Sequence, residues 1–290
     1  LFRRLLELER AFPHLVTPDS PTQRVGAEPR DDLPSVRHAA PMLSLDSTQD
    51  EAELRRFDDR VRKALGGQVR YILEPKLDGA SLELVYQEGV LTRAVTRGNG
   101  EEGEGVTENV RTIHSVPLRL WGGIRPLPSF LSVRGEVLMR LSAFESLNQK
   151  LVQDGLEPFA NPRNAAAGAL RQLDARITAE RPLDLLAYDI LAVEGARLEE
   201  DREVLQALRD WGLKTPERIA MAEGVEDILA YHGAFFRDRD ELDYEIDGIV
   251  VKVNDLAARA GMGMTSRHPR WAVAFKFEPR KEVTRIERIA

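Results

Sequence analysis

The chain has 290 residues, of which 42% are hydrophobic and 31% charged, and its formal net charge is −7. This apolar content suits a buried core, as one large domain or one domain plus an appendage, and the mixed signs of the charges argue against a disordered polyelectrolyte. The negative balance argues against binding nucleic acid by overall charge, so contact with DNA would need a local basic patch or help from outside this chain. Because the sequence has no cysteine, disulfides, thiolate nucleophiles and cysteine zinc sites are excluded within these residues.

The sequence shows neither a membrane span nor a secretion signal. Its apolar runs all fall short of the roughly 18 residues that a span needs, and its start lacks a signal-peptide pattern. We therefore expect a soluble, cytoplasmic and monomeric protein without a membrane partner. The chain begins at Leu1 rather than Met, inside a helical pattern, so we also expect a fragment.

The first predicted element is a helix over residues 1–12, where leucine and phenylalanine recur at helical spacing until Pro13. A polar, proline-rich stretch over residues 16–34 then reads as a linker that lies over another part of the molecule. From Met42 onward the pattern is typical of a globular domain.

Further helices are predicted in the globular part. Thr48 with Glu51, and Ser142 with Glu145, match the capping box, in which a hydroxyl and a carboxyl satisfy N–H groups of the first turn. The first of these helices ends at Gly66. The helical patterns occupy about 48–65, 142–155, 199–211 and 225–236.

Strand patterns are also frequent. Several are separated by short turns, which favours antiparallel pairing, and strands do not alternate regularly with helices. The sequence therefore predicts an α+β fold with packed antiparallel sheets. The strand-like segments are 69–77, 81–87, 90–96, 130–139, 185–193, 245–253 and 271–278.

Charged residues lie inside these apolar strands. Because side chains alternate along a strand, Glu74, Lys76 and Asp78 share one face of their segment. Arg134 and Glu136 share a face in the same way. Taken singly, such a residue is usually a solvated surface charge. Several strands that each present a charge are harder to dismiss, because charges gathered in one concavity must pair or meet a ligand.

Two other strands add lysines to this set. Two alanines lead to Lys276 on one face of its strand, which leaves a slot with an ammonium at its end. Asp247 and Lys252 differ in parity, so we expect a β-bulge at Gly248 that turns one of them. Lysines and arginines grouped in this way favour phosphate as the ligand.

Two further stretches contribute arginines. Arg97 lies at a glycine-rich turn that does not match a dinucleotide fingerprint, and a mobile acidic hairpin explains it equally well. Asn161 and Pro162 suit the start of a small-residue helix, whose free N–H groups could bind an anion. Arg163 and Arg171 lie about 80° apart around that helix, so both could lean toward one site. Its alanines also suit close helix packing.

Together, these stretches resemble the adenylation domain of bacterial NAD+-dependent DNA ligases. The Lys-x-Asp-Gly motif alone would indicate only the wider lysine nucleotidyltransferase group, which includes ATP-dependent ligases and RNA capping enzymes. SPTQRVG and FANPRNAAAG narrow the resemblance to the NAD+-dependent branch. The matching segments are TPDSPTQRVG, PMLSLD, EPKLDGASLELVYQEGVLTRAVTRG, VRGEV, FANPRNAAAGALRQLD, EIDGIVVKVN and WAVAFKF.

The resemblance implies a lysine nucleotidyltransferase fold, an ATP-grasp-like α+β fold with a short helical remnant in front. Residues 1–33 would be the remnant of a subdomain that binds nicotinamide mononucleotide, together with a linker. Residues 34–280 would form the adenylation domain, and residues 281–290 would lead toward an OB-fold. The zinc module, helix-hairpin-helix and BRCT regions of the family have no counterpart in this sequence.

The resemblance also implies a mechanism, with Lys76, Asp78, Lys252 and Lys276 as the catalytic set. Lys76 would attack the α-phosphorus of NAD+, expel nicotinamide mononucleotide and carry AMP to the 5′-phosphate of nicked DNA. A free lysine has a pKa of ~10.4 and is a poor nucleophile at neutral pH. Neighbouring Lys252, Lys276 and Mg2+ would lower that pKa, and they would stabilise the phosphate charge.

The nucleotide contacts follow from the same motifs. Glu74 would accept a hydrogen bond from the adenine amino group, and Tyr188 would stack on the base, although Tyr188 could equally be an ordinary core residue. Ser44 and Leu45 would flank the adenosine. The full set implied for the nucleotide is Ser44, Leu45, Glu74, Arg97, Glu136, Tyr188, Lys252 and Lys276, with Arg97 and Glu136 at the ribose.

Four other residues carry weaker implications. Arg163, Arg171 and Arg239 are candidates for contacts with DNA phosphates or the leaving group, and Asp247 for positioning a metal ion or a lysine. The sequence fixes no metal ligand. Family members usually have carboxylates where this chain has Asn99 and Gly105, which weakens any metal or DNA role for that hairpin.

We expect the intact protein to seal nicks in double-stranded DNA. This chain should bind adenosine nucleotides, react slowly or not at all with NAD+, and bind nicked DNA poorly. One alternative is an ATP-dependent nucleotidyltransferase of the same superfamily. Another is a catalytically silent nucleotide-binding module, and a Schiff-base enzyme fits less well because the arginines would have no task.

Overall fold

The computed structural model describes residues 2–17, 19–24, 31–266 and 268–278, and the fold within them is α+β, as predicted. The strands are β1 Ser35–Arg37, β2 Ser47–Thr48, β3 Tyr71–Leu77, β4 Ala80–Gln87, β5 Val90–Thr96, β6 Glu102–Glu104, β7 Phe130–Met139, β8 Leu183–Glu194, β9 Ala220–Ala222, β10 Ile246–Val253 and β11 Ala272–Lys276. The helices are α1 Phe2–Ala11, α2 Glu51–Leu65, α3 Thr107–Arg111, α4 Leu141–Gln153, α5 Pro162–Leu170, α6 Ala175–Ala179, α7 Asp201–Asp210, α8 Val225–Asp238 and α9 Leu256–Met262.

Two main sheets organise the molecule. The first has the order β2-β11-β10-β3-β9, and its pairs are antiparallel except for the parallel contact between β2 and β11. The second is an antiparallel sheet of order β5-β4-β7-β8. A small ribbon of β1 and β6 lies beside them. The predicted antiparallel arrangement is therefore confirmed.

Each sheet has its own hydrophobic core. The five-stranded sheet packs against α2 and α8 through residues such as Phe57, Tyr71 and Phe275. The four-stranded sheet buries a larger cluster that includes Trp211, which is fully buried. A third, small cluster of Leu77, Leu138 and Leu186 joins the two sheets, and the cleft lies between them next to Leu77.

The chain crosses from one sheet to the other between β3 and β4, at Asp78 and Gly79. A Cβ on Gly79 would lie under 3.0 Å from the carbonyl oxygen of Val137, so the crossing requires glycine. Lys76 lies near the end of β3, immediately before this crossing. The topology therefore places the sequence-predicted nucleophile at the junction of the two sheets.

The bulge predicted at Gly248 is present. The pairing of β10 with β3 shifts register between Ile246 and Ile249, and a Cβ on Gly248 would lie under 3.0 Å from the backbone of Phe275. The extra residue changes the direction of Asp247. Asp247 and Lys252 consequently face the same cleft despite their different parity.

Both predicted capping boxes are wrong. Asp50, not Thr48, caps α2, and its carboxylate accepts from the backbone N–H of Ala52 at 2.7 Å. The hydroxyl of Thr48 instead donates to Glu53 at 2.6 Å. Asp50, whose backbone is extended at the helix start, is therefore the capping residue that the sequence pattern had assigned to Thr48.

At the start of α4, the cap comes from a distant residue. The backbone N–H and the hydroxyl of Ser142 each donate to the carboxylate of Asp243 at 2.9 Å, so Ser142 does not form a box with Glu145. Such a partner is set by tertiary contact and leaves no local sequence pattern.

The stretch predicted as a linker contacts the body of the domain where the structure describes it. The guanidinium of Arg24 donates to the carbonyl oxygens of Arg111, Ile113 and Val116 at 2.8 to 3.0 Å, which fixes residues 19–24 on the domain body. Residues 25–30 and the predicted 281–290 connection lie outside the described residues. Within the described residues, no helix is both long and apolar enough to cross a membrane.

Candidate active site

A cleft of about 1470 Å³ lies between the two main sheets. Its walls come from β3, β10 and β11 on one side and from β4, β7 and β8 on the other, with α5 and the turn after β5 at the rim. The sequence-predicted residues that line it are Ser44, Leu45, Glu74, Lys76, Arg97, Glu136, Arg163, Arg171, Tyr188, Asp247, Lys252 and Lys276.

Asp247 holds two of the predicted lysines together. The amine of Lys76 lies 2.8 Å from Oδ1 of Asp247, and the amine of Lys276 lies 3.1 Å from Oδ2. The Lys76 side chain is 22% exposed, so it is accessible from the cleft without being surrounded by solvent. One carboxylate thus places the predicted nucleophile and a second lysine side by side.

Asp78 and Arg163 form a second pair at the mouth of the cleft. The guanidinium of Arg163 donates to Oδ1 of Asp78 at 2.6 Å. The predicted start of α5 is confirmed, since Asn161 accepts from the N–H of Asn164 at 2.7 Å and Pro162 is the first helical residue. This start places Arg163 next to the crossing between the sheets.

Glu136 and Tyr188 lie together on the four-stranded sheet. The hydroxyl of Ser81 donates to Glu136 at 2.7 Å, and the phenol of Tyr188 donates to the same carboxylate at 3.3 Å. Burial raises the pKa of Glu136 above its ordinary value, and the hydrogen bond from Ser81 and the charge of Arg134 oppose that shift only in part. Burial likewise raises the pKa of Tyr188 to about 12, so its phenol remains a donor.

Lys252 lies at the floor of the cleft, where it is 97% buried. Its amine contacts the carboxylate of Glu74, lies 2.8 Å from Asp201, and donates to the backbone carbonyl of Tyr188 at 3.3 Å. Although burial alone would lower the pKa of Lys252, the carboxylates around it raise that pKa above the ordinary value. Burial raises the pKa of Glu74 to about 8 despite the ion pair with Lys252.

Sequence reasoning missed the support beneath Lys252. Asp201 is fully buried, and its Oδ1 lies 2.8 Å from the guanidinium of Arg259. Arg259 stacks on the ring of Trp271, with 4.3 Å between its Cζ and the ring centroid. No spacing in the sequence links α7, α9 and β10, and α9 was not predicted, so the sequence held no signal that pointed to this support.

The remaining predicted residues lie at the rim or beyond it. Ser44 and Leu45 follow Leu43, whose carbonyl oxygen accepts from Arg134 at 2.9 Å. Arg171 forms an ion pair with Glu104 at 2.6 Å, at the side of the cleft.

Arg239 and the Asn99 hairpin differ from the other candidates. The Arg239 guanidinium lies over the ring of Phe236, 4.6 Å from its centroid. Arg239 is not among the described residues that line the cleft. Asn99 accepts from the N–H groups of Glu101 and Glu102 at 2.9 Å, so it shapes the hairpin turn. No cluster of three His, Asp or Glu ligands occurs among the described residues.

A strand-borne lysine in a cleft between two antiparallel sheets, with buried carboxylates and further lysines around it, defines a domain of the nucleotidyltransferase class. The chain belongs to the NAD-dependent DNA ligase family. Residues 30–280 match the family model for the NAD-dependent DNA ligase adenylation domain. Residues 1–26 match the model for a DNA ligase-like, N-terminal NAD+-binding domain.

Curated relatives agree with this membership. The chain is 50% identical over 289 residues to a DNA ligase of Salinibacter ruber, which covers 99% of this chain and 42% of that protein. It is 51% identical over 289 residues to a DNA ligase of Haloarcula marismortui, covering 100% of this chain and 41% of that protein. The chain therefore spans about two fifths of the length of these relatives.

Two solved structures with a similar fold are distant in sequence. A mycobacterial DNA ligase D complexed with ATP and MES has a TM-score of 0.44 and 14% identity, with 82% of this chain and 60% of that chain covered. An archaeal ATP-dependent RNA ligase has a TM-score of 0.43 and 13% identity, with 81% of this chain and 48% of that chain covered. Similarity at this level assigns no activity.

Proposed function

We propose that this chain is the adenylation core of a ligase that seals nicked double-stranded DNA, with NAD+ as the AMP-donating substrate. Lys76 attacks the α-phosphorus of NAD+. A nitrogen–phosphorus bond forms, and the bond to the bridging oxygen breaks, so that nicotinamide mononucleotide leaves with the electron pair. The contact of Lys76 with the carboxylate shared by Lys276 is the observation that carries this proposal.

The amine must lose a proton before it can attack. Asp247 is 2.8 Å from the Lys76 amine and is therefore placed to receive that proton. Lys276 lies 3.1 Å from Oδ2 of Asp247, the oxygen to which Lys76 also donates at 3.0 Å, so its ammonium is held beside the amine that attacks the phosphate. This arrangement supports electrostatic stabilisation of the charge that develops on the phosphate oxygens.

The adenosine contacts follow from the floor and walls of the cleft. Glu74 faces Lys252 through one oxygen, which leaves its second oxygen to accept from the adenine amino group. Tyr188 stacks on one side of the base. Ser44 and Leu45 flank the adenosine from the other side. Glu136 accepts from a ribose hydroxyl, with Arg97 nearby at the rim.

The later steps use DNA. AMP passes from Lys76 to the 5′-phosphate at a nick, and the 3′-hydroxyl then displaces it, which serves DNA replication and repair in the cytoplasm. Arg163 and Arg171, both at the cleft, are suited to the phosphates of DNA or of the leaving group. The residues described offer no three-ligand magnesium site, so a magnesium ion would depend on phosphate oxygens, and we derive no step through it.

The test is the intact mass of this chain after separate incubation with NAD+ and with ATP. We expect a mass increase equal to one AMP with NAD+, lost in Lys76→Ala. Because reaction with NAD+ is expected to be slow, the same assay is run on a chimera in which this chain replaces the matching part of the Salinibacter ruber ligase. An adduct from ATP would instead support the ATP-dependent alternative.

A silent nucleotide-binding module makes a different prediction. It would bind AMP without any adduct, and the chimera carrying Lys76→Ala would seal nicks as well as the unmodified chimera. The carboxylate shared by Lys76 and Lys276 argues against this alternative, because a binding module has no need for an accessible amine beside a proton acceptor.

A further inference from the structure

Two hydroxyl oxygens and a carboxylate oxygen meet on the four-stranded sheet, in the wall of the cleft. Ser81 on β4 lies directly opposite Glu136 on β7, so their side chains share one face of the sheet. The hydroxyl of Ser81 donates to Oε2 of Glu136 at 2.7 Å and lies 3.2 Å from the phenol oxygen of Tyr188. The proposed nucleotide contacts use Glu136 and Tyr188. They give no task to Ser81, although it lines the same cleft.

The two donors to Glu136 approach the same oxygen. Oε2 accepts from Ser81 at 2.7 Å and from Tyr188 at 3.3 Å. Within the part of the chain that the structure describes, Oε1 receives no hydrogen bond, and Glu136 lines the cleft. A carboxylate that is held through one oxygen in this way presents its other oxygen to a ligand.

Glu136 lies where the sugar of a bound nucleotide belongs. On one side its carboxylate meets the phenol of Tyr188, the residue proposed to stack on the base. On the other side it packs against the crossing that follows Lys76, since a Cβ on Gly79 would lie 2.9 Å from its Cγ. The positive charge of Lys76 also acts on Glu136. A nucleotide that extends from Tyr188 to Lys76 therefore places its ribose beside Oε1.

Ser81 also contacts the second residue proposed at the ribose. Its carbonyl oxygen accepts from the backbone N–H of Arg97 at 3.1 Å. The side chain of Ser81 thus fixes Glu136, and its backbone fixes the turn that carries Arg97. One residue of β4 joins both proposed ribose contacts.

The hydrogen bond from Ser81 also affects the charge of Glu136. Burial raises the pKa of Glu136, and among its neighbours the hydroxyl of Ser81 opposes this shift most strongly. The charges of Arg134, Arg163 and Lys76 oppose it as well. Because a charged acceptor forms a stronger hydrogen bond than a neutral one, Ser81 favours the form of Glu136 that binds a hydroxyl best.

We propose that Ser81 is a positioning residue that determines specificity for ribose, because it orients Glu136 with one oxygen free for a ribose hydroxyl. The proposal rests on the proposed function for the identity of the ligand. The single hydroxyl proton of Ser81 is donated to Glu136, so Ser81 acts through the carboxylate and not on the sugar. Loss of this donor should weaken the discrimination between ribose and deoxyribose.

A purely structural hydrogen bond would behave differently. Its loss would lower stability and weaken the binding of ribonucleotides and deoxyribonucleotides alike. A positioning role affects only a ligand that carries the hydroxyl bound by Glu136. The ratio of AMP affinity to the affinity of 2′-deoxy-AMP or 3′-deoxy-AMP therefore separates the two roles, because each analogue lacks a single hydroxyl and keeps every other contact.

The experiment measures the binding of AMP, 2′-deoxy-AMP and 3′-deoxy-AMP to this chain by calorimetry. The variants are Ser81→Ala and its hydroxyl-retaining partner Ser81→Thr. Glu136→Ala gives the ratio expected when no carboxylate faces the ribose, and Ser81→Ala is also introduced into that background.

Ser132→Ala is the matched control. Ser132 also donates to a buried carboxylate between β4 and β7, that of Glu83, at 2.6 Å. Unlike Ser81, it is not among the described residues that line the cleft. The control therefore removes the same kind of hydrogen bond from the same pair of strands, away from the proposed ribose contact.

The unmodified chain should bind AMP roughly tenfold or more tightly than the analogue that lacks the recognised hydroxyl. In Ser81→Ala this ratio should fall by roughly threefold to tenfold, toward the Glu136→Ala value. Ser81→Thr should restore most of the ratio, and Ser132→Ala should leave it unchanged. In the Glu136→Ala background, Ser81→Ala should have no further effect on it.

Three results would overturn the proposal. The first is a ratio in Ser81→Ala equal to that of the unmodified chain, including the case in which all three affinities drop alike. The second is a further fall caused by Ser81→Ala when Glu136 is already replaced by alanine, and the third is an equal fall in Ser132→Ala. Circular dichroism establishes that the variants are folded.

The outcome is independent of the adenylation assay. If NAD+ never labels Lys76, the proposed adenylation fails, whereas the affinity ratio still reports on Ser81 and Glu136. If Lys76 is labelled and the ratio does not depend on Ser81, only the positioning role is lost.

Discussion

Asp247 shows how one backbone irregularity sets the position of two amines. Lys76 and Lys276 belong to the strands on either side of β10, and the bulge at Gly248 turns Asp247 between them. A regular strand would have placed this carboxylate on the opposite face from Lys252. Asp247 and Lys252 are separated by an odd number of positions, which puts them on opposite faces of a regular strand. The bulge was predicted from this spacing, on the expectation that both residues face one cleft.

Replacement of Asp247 by asparagine should slow adenylation much more than it weakens nucleotide binding. The amide cannot accept the proton of Lys76, and loss of a positioned proton acceptor typically costs about a hundredfold or more in rate. The measurement is the single-turnover formation of the AMP adduct by intact mass, beside calorimetric AMP binding. Asp243→Asn is the control, because it neutralises a carboxylate at the start of α4 and leaves Asp247 intact. Equal rates in the two variants would contradict the role of Asp247.

The shifted pKa of Glu74 predicts a dependence of stability on pH. Burial raises this pKa from 4.5 to about 8, so between these values the folded state binds more protons than the unfolded state. Stability contributed by Glu74 is therefore present below about pH 4.5 and is lost as pH rises toward 8. Glu74→Gln cannot titrate and escapes this loss.

We expect the melting temperature of Glu74→Gln, relative to the unmodified chain, to rise steadily from pH 5 to pH 8.5. The two melting temperatures should be closest at the acidic end, because protonated Glu74 is uncharged there, as the amide is. Calorimetric scans of both proteins across this range provide the measurement. A constant difference between the two melting temperatures would show that Glu74 does not titrate in this window.

At the scale of elements, the crossing between β3 and β4 links the fold to the site. Asp78 and Gly79 carry the chain from one sheet to the other. The carboxylate of Asp78 also accepts a hydrogen bond from Arg163 at the start of α5. The same two residues therefore join the sheets and follow the nucleophile. Gly79 has no room for a side chain because the backbone of Val137 lies against it.

Gly79→Ala should destabilise the protein by about 1 to 3 kcal/mol, since the clash is with backbone and cannot be relieved by a rotamer change. Gly261→Ala is the matched control: Gly261 lies in α9, and a Cβ there would meet nothing within 4 Å. That substitution should be neutral or stabilise by up to about 1 kcal/mol. Urea unfolding of both variants measures the difference, and equal stabilities would refute the steric requirement at Gly79.

The sequence was informative where a pattern lies within one element. The long strands and the helices near 199–211 and 225–236 were predicted with boundaries close to those observed. The two- and three-residue strands β1, β2, β6 and β9 were missed, because their pairing depends on distant partners rather than on side-chain alternation. The capping residues failed for the same reason at α4, where Asp243 is far away in sequence.

The site shows the same limit. Lys76, Glu136 and Tyr188 came from strand patterns and from the family resemblance, and the cleft gathers them. Asp201 and Arg259 were not predicted, because an aspartate at a helix start and an arginine in a short helix have ordinary local explanations. Only the packing of α7 and α9 against β10 shows that they support a buried lysine.

For the whole molecule, the two main sheets face one another across the cleft. The proposed nucleotide contacts are divided between them, with Glu74 and Lys252 on one sheet and Glu136 and Tyr188 on the other. A bound nucleotide therefore links the two halves. Ligand present at about 100 times its Kd stabilises the folded state by about 2.7 kcal/mol, so the effect on local opening should be measurable.

AMP should slow amide hydrogen exchange in strands of both sheets, most at the cleft ends of β3 and β10 and of β7 and β8. Helix α8 packs on the five-stranded sheet away from the lining residues, so its exposed amides serve as an internal reference. Inosine monophosphate is the matched ligand, because it lacks the amino group that Glu74 is proposed to accept from and should protect both sheets less. Exchange measured by mass spectrometry decides the question: protection confined to one sheet would mean that the nucleotide does not bridge the cleft.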